Sequence, residues 1–117
     1  EDFFLYWEDI DLMNKINRSK YKMAIARDAN AKHTISQSSE DSRTVVYIRN
    51  KNYIYGELTY DYKQKRIRFI KIIRKFNQNF FLFFFNIARF QFNKSIINFA
   101  YIIGIAKFLR FYLTRQI

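Results

Sequence analysis

Ile10, Met13, Ile16 and Asn17 follow one another at three- and four-residue steps, which predicts a helix over about residues 9–19. Residues 22–26 read as a short strand, followed by a turn at Asp28-Ala29-Asn30. From His33 to Ser42 the chain is rich in Ser, Gln and Thr, the composition of a connecting loop or of a lid over a site. Thr44 to Tyr60 is open between two readings. Val45, Val46, Tyr47, Ile48, Tyr53, Ile54 and Tyr55 favour a strand by propensity, while their spacing also permits a helix.

Beyond Asp61 two longer helices are predicted, over about residues 62–92 and 94–114, with no Pro to interrupt either. In the first, Phe69, Ile73, Phe76, Phe80, Phe83 and Ile87 recur on one side while Lys65, Arg68, Lys71 and Lys75 take the other. Around Phe80 to Phe85 the wheel turns apolar nearly all round, the pattern of a helix covered by other helices or by lipid. The second repeats the theme more weakly, with Ile96, Phe99, Ile103 and Phe108 against Lys107, Arg110 and Arg115.

Charge divides the chain at the same place. Residues 1–42 hold eight acids and six bases, residues 43–117 two acids and fifteen bases, and these sums of −2 and +13 give the net +11. No acid follows Asp61. Two jobs are implied, one for each half. Neither long helix reads as a membrane span: a span needs about 20 predominantly apolar residues, whereas Arg89 ends the first run and Lys107 and Arg110 interrupt the second. The expectation is peripheral, in-plane binding at an anionic membrane surface, where each basic residue near the headgroups contributes about 1 kcal/mol. The alternative is that both helices pack on a further part of the protein with a solvated basic face. Half of all residues are hydrophobic and 21% aromatic, heavy for an independent soluble unit of 117 residues. The absence of Cys fits a reducing compartment, and the two glycines, Gly56 and Gly104, make no phosphate-binding loop.

Candidate chemistry gathers at the start. Four aromatics in the first seven residues lead into Glu8, Asp9 and Asp11, at the point where the first helix begins. Acids also collect at helix starts for stability alone, because the dipole and the unpaired amides favour them there. The phrase Phe3-Phe-Leu-Tyr-Trp-Glu-Asp-Ile-Asp-Leu12, followed by Tyr21-Lys-Met-Ala-Ile-Ala-Arg-Asp-Ala-Asn-Ala-Lys-His33, resembles the second half of family-two glycosyltransferases, bacterial rhamnosyl- and galactofuranosyltransferases in particular. The likeness runs through about the first 33 residues and continues weakly in Ser38, Ser39 and the Arg49-Asn50 pair.

The resemblance implies an α+β, mostly helical fold: the C-terminal part of a GT-A type glycosyltransferase domain over residues 1–60, followed by a basic, aromatic amphipathic region over residues 61–117. It favours helix for the ambiguous segment at 44–60. It implies Asp9 as the catalytic base, Trp7, Glu8 and Asp11 around the acceptor, Arg49 toward the donor phosphates, and His33 as ligand of a divalent cation, Mg or Mn. The chemistry needs such a base, since a sugar hydroxyl is a poor nucleophile until its proton is taken during attack. Without the resemblance, a lone His reads first as an ordinary surface or core residue, because metal sites normally recruit several ligands. The partners implied are a nucleotide-sugar donor, a lipid-linked glycan acceptor, the anionic cytoplasmic face of the bacterial inner membrane, and a nucleotide-binding half ahead of Glu1. Asp9-Ile-Asp11 matches Asp-x-Asp literally, but a helical pattern follows it, so it is set aside as the nucleotide site. The contrasting classes are a membrane-surface adaptor and a basic nucleic-acid-binding protein. Against the latter, the aromatics are mostly Phe in apolar clusters and no nucleic-acid module is present.

Overall fold

The computed structural model describes residues 6–22, 24, 26–28, 30 and 42–115. Four helices make up the architecture: α1 (Glu8–Arg18), α2 (Arg43–Lys63), α3 (Phe69–Ala88) and α4 (Phe92–Thr114). Among the described residues there is no strand: they form an all-helical arrangement, and the α+β expectation of a GT-A domain is overturned. The cause is visible at both strand candidates. Lys22, Ala24 and Ala26 are exposed in irregular backbone, with no ladder partner to satisfy a strand's amides. At 44–60 the helical spacing wins because Ile54 and Leu58, one turn apart, are fully buried in the core.

α2 and α3 both pack on α4, and they meet each other where Lys71 and Lys75 of α3 pair with Glu57 and Asp61 of α2. α2 and α4 run parallel, as the ring contacts Tyr47–Phe99, Tyr55–Phe111 and Tyr62–Tyr112 show by advancing together along both helices. They cross closely at Gly104, where an added Cβ would lie 2.5 Å from the Lys51 carbonyl oxygen and still closer to Ile54 Cγ2. The core joins Ile54 and Leu58 of α2, Ile72 of α3, and Ile105 and Phe108 of α4, so it draws on residues from both sides of position 60.

The breaks between helices come from backbone chemistry rather than from Gly or Pro. After α2, Lys65 adopts φ 54, its N–H donates to the Tyr62 carbonyl and Arg66 N–H donates to the Asp61 carbonyl. After α3, Phe90 adopts φ 56, with Phe90 N–H donating to Ile87 O and Gln91 N–H to Asn86 O. Both are Schellman ends with a non-Gly residue in the left-handed position. The helix expected over 62–92 is therefore shortened at its start: α2 runs through Lys63 and α3 begins at Phe69.

Amides enter the α3–α4 contact beyond the apolar core. Asn86 donates to Asn98 at 2.9 Å and Asn98 donates to Asn79 at 3.1 Å, a chain of amides within the α3–α4 contact. Meanwhile Ile70, Ile73, Phe80, Phe81 and Phe84 are exposed and share about a third of the circumference of α3. Six apolar side chains are buried against twenty large ones exposed among the described residues, so a large apolar area faces outward. The radius of gyration, 17.4 Å, exceeds the roughly 13 Å of a compact chain of this length and agrees with that open arrangement.

Candidate functional site

The aromatic and acidic phrase is seated on α2. Tyr6 and Trp7 both adopt left-handed backbone, φ 65 and 69, which turns the chain into α1 and costs each about 1–2 kcal/mol. Packing holds them there. The Trp7 ring lies 5.8 Å from Tyr53 and 5.4 Å from Tyr60, and Tyr6 meets Tyr53 edge-on at 6.0 Å. Gly56 leaves the room for this: a Cβ at that position would stand 2.7 Å from Trp7 Cδ1. The Trp7 indole N–H is enclosed without a hydrogen-bond partner, a polar atom left in an apolar seat. Further along, Asn14 donates to the Tyr60 hydroxyl at 2.6 Å and Arg18 to Gln64 Oε1 at 2.5 Å, tying α1 along α2.

The three acids at the helix start have separate fates. Glu8 and Asp9 are exposed in the first turn, and Asp9 Oδ1 accepts from the Ile10 N–H at 2.9 Å, one of the amides a helix start leaves unpaired. Asp11 is buried, its carboxylate 2.8 Å from Lys15 Nζ and 3.6 Å from Lys63 Nζ. The Lys63 contact fastens α1 to the end of α2.

Tyr6, Arg49, Asn50, Tyr53 and Tyr101 line one cleft of about 350 Å3. The tertiary structure thus brings the aromatic phrase and the Arg49-Asn50 pair, 43 positions apart in the chain, to one place. Arg49 is half-buried, and the Asn50 side-chain amide donates to the Val46 carbonyl at 2.8 Å, which fixes its orientation. Burial, followed by the charges of Tyr53 and Glu57, raises the Tyr101 pKa above the ordinary phenol value, so Tyr101 stays a neutral hydroxyl donor and acceptor through the physiological range. Chemically the cleft offers a planar guanidinium suited to phosphate or carboxylate, an amide, and three phenol rings with apolar faces. Asp9 stands at the exposed start of α1, three residues after the cleft-lining Tyr6.

Tyr53, lying one turn after Arg49 and Asn50, had a readable signal in that helical spacing. Tyr101 had none, since it arrives from α4. His33 lies outside the described residues, and so do Ser38 and Ser39. No group of three or more His, Cys, Asp or Glu side chains comes together as a cation site among the described residues.

α4, which the sequence reading above denied a span, is long and apolar enough to cross a membrane by length and composition; 28% of its most apolar window is buried, and Lys107 and Arg110 are exposed near its C-terminal end. Comparison of the chain with protein-family models, with curated proteins and with solved structures finds no match.

Proposed function

We propose that this chain serves an inverting sugar transfer at an anionic membrane surface, moving a sugar, rhamnose being the leading candidate, from a nucleotide donor to a lipid-linked glycan for cell-surface polysaccharide or O-antigen. The observation that carries this reading is the shared cleft: Tyr6 of the aromatic and acidic phrase and the Arg49-Asn50 pair, the two segments that resemble the glycosyltransferases, line the same 350 Å3 space. The exposed phenylalanine stripe of α3, together with twelve bases and no acid after Asp61, supports the membrane setting.

In this reaction Asp9 takes the proton of the acceptor hydroxyl as its oxygen attacks the anomeric carbon. The bond from that carbon to the diphosphate breaks, and the electron pair leaves with the nucleotide. Arg49 holds the diphosphate by charge-assisted hydrogen bonds, and the tyrosine faces carry the sugar rings. A general base of this kind contributes about 10²–10⁴-fold. Asp9→Asn, introduced into the protein as its host makes it, is therefore expected to lower transfer at least about a hundredfold while nucleotide-sugar binding persists, measured with labelled donors including dTDP-rhamnose. Undiminished transfer would remove Asp9 as the base. A membrane-surface adaptor without chemistry is the second reading, favoured by the outward phenylalanines alone. Detectable transfer that Asp9→Asn abolishes eliminates it.

A further inference from the structure

Where α2 and α4 begin and α3 ends, three adjoining clefts share one side chain, Arg43. The first also carries Lys94 and Asn93, so two cationic residues stand at its rim. The second passes from Asn93 to Ile96 and joins the third, a groove of about 370 Å3 walled by Phe83, Ile87, Phe92, Ile96 and Phe99. Ser95, the one other polar residue in that groove, is buried with its hydroxyl donating to the Gln91 carbonyl. The wall therefore offers a polar solute almost nothing to bond.

The groove is continuous with the outward stripe of α3. Phe99 meets Phe83 at 5.7 Å, Phe83 meets Phe84 at 5.2 Å, and Phe84 meets Phe80 at 5.0 Å, so one aromatic surface runs from inside the groove to the exposed face. Hydrocarbon at one end and positive charge at the other define the ligand as an anionic amphiphile. We propose that the groove seats one acyl chain of an anionic phospholipid, with its phosphate between Arg43 and Lys94. This rests on the membrane setting proposed above and not on the sugar-transfer chemistry. A second copy of the chain is the poorer occupant: each copy carries +11, and a symmetric contact over this groove would set Arg43, Arg89 and Lys94 against their own counterparts with no acid from α3 or α4 to offset them.

The full chain, taken into neutral detergent micelles holding equal amounts of phosphatidylglycerol and phosphatidylcholine, can be weighed by native mass spectrometry. The expected result is one retained phosphatidylglycerol per chain, favoured about tenfold or more over phosphatidylcholine. Arg43→Gln, at an exposed position, should erase that preference. Ile96→Trp, which fills the groove, should abolish retention, with circular dichroism checking that helicity is unchanged. Phe81→Ser on the open stripe should weaken binding to phosphatidylglycerol vesicles yet leave the single retained lipid in place. Overturning results are no retained lipid, equal retention of both lipids that ignores Arg43→Gln, retention lost in Phe81→Ser, or a dimer mass that disappears in Ile96→Trp. Vesicle binding without a retained lipid would remove the groove and spare the membrane setting, and none of these readouts depends on Asp9.

Discussion

Gly104→Ala tests the α2–α4 crossing directly. The new methyl would stand 2.5 Å from the Lys51 carbonyl oxygen and nearer still to Ile54 Cγ2, whereas ordinary contact begins at 3.4 Å, so the helices must part by at least about 0.9 Å, the difference 3.4 − 2.5. Neither obstacle can swing away. One is backbone, and the other belongs to a fully buried β-branched side chain with little rotamer freedom inside a helix. Overpacking costs about 1–3 kcal/mol, and this geometry places the cost toward the upper end. Against it stands the better helix propensity of Ala, worth about 0.8–1.0 kcal/mol over Gly. The net expectation is a loss of about 2 kcal/mol, which lowers the melting temperature by roughly 8 °C in a domain of this size. Ile54→Leu removes the offending branch and should recover part of the loss in the double variant, giving a coupling that distant sites lack. Thermal unfolding followed by circular dichroism reads both effects. A Gly104→Ala protein as stable as the parent would mean that propensity prevails and the helices do not cross this closely.

Asn98→Leu makes the α3–α4 contact more apolar yet should destabilise it by about 2 kcal/mol, because Asn86 loses its acceptor and Asn79 its donor while both stay between the helices; a rise in urea midpoint would refute the amide chain as a stabilising element. Lys71 lies 2.5 Å from Asp61 and 3.4 Å from Glu57, and the Asp61 hydrogen bond, then the charges of both acids, outweigh burial and raise its pKa above 10.5. A raised folded-state pKa means its contribution is present in full below pH 10.5 and is lost as pH climbs through the higher folded value. The side chain is 41% exposed, so the contribution is well under about 1 kcal/mol. The stability gap between the parent and Lys71→Met should accordingly be constant from pH 6 to 9 and close above pH 10.5, and a gap that grows there would show the sign to be wrong.

The legible parts of this fold were those set by spacing along one helix. The run from Ile10 to Asn17 places α1 within a residue at each end, and the periodic phenylalanines place the bodies of α3 and α4. The joints were harder to read, because the residues that take left-handed backbone at 65 and 90 are Lys and Phe, which carry no turn signal of their own. The strand at 22–26 failed for want of a neighbour, which no local pattern supplies. At the candidate site, the acid cluster was readable as a helix start, but the fate of Asp11 was not: Lys63 reaches it from 52 positions away. Arg49 belongs to the cleft together with Tyr6 and Tyr101, a convergence made by packing α1 and α4 on α2.

The amides in the α3–α4 contact explain why the pattern of α3 named a helix without naming its inner face. Phe, Leu and Ile surround its second half, so hydrophobic burial alone favours no single rotation of α3 on α4. The amides discriminate. Facing outward at an apolar boundary, Asn79 and Asn86 would each lose hydrogen bonds worth about 1–3 kcal/mol, whereas a phenylalanine is equally at home against a helix or against hydrocarbon. Turning the helix so that Asn79, Asn86 and Asn98 satisfy one another leaves Phe80, Phe81 and Phe84 on the far side. In water that rotation exposes a large apolar area with no compensation; at a bilayer the same area becomes the contact. The rotation chosen by three asparagines thus leaves three phenylalanines for a covering apolar surface, which the membrane setting proposed above would supply.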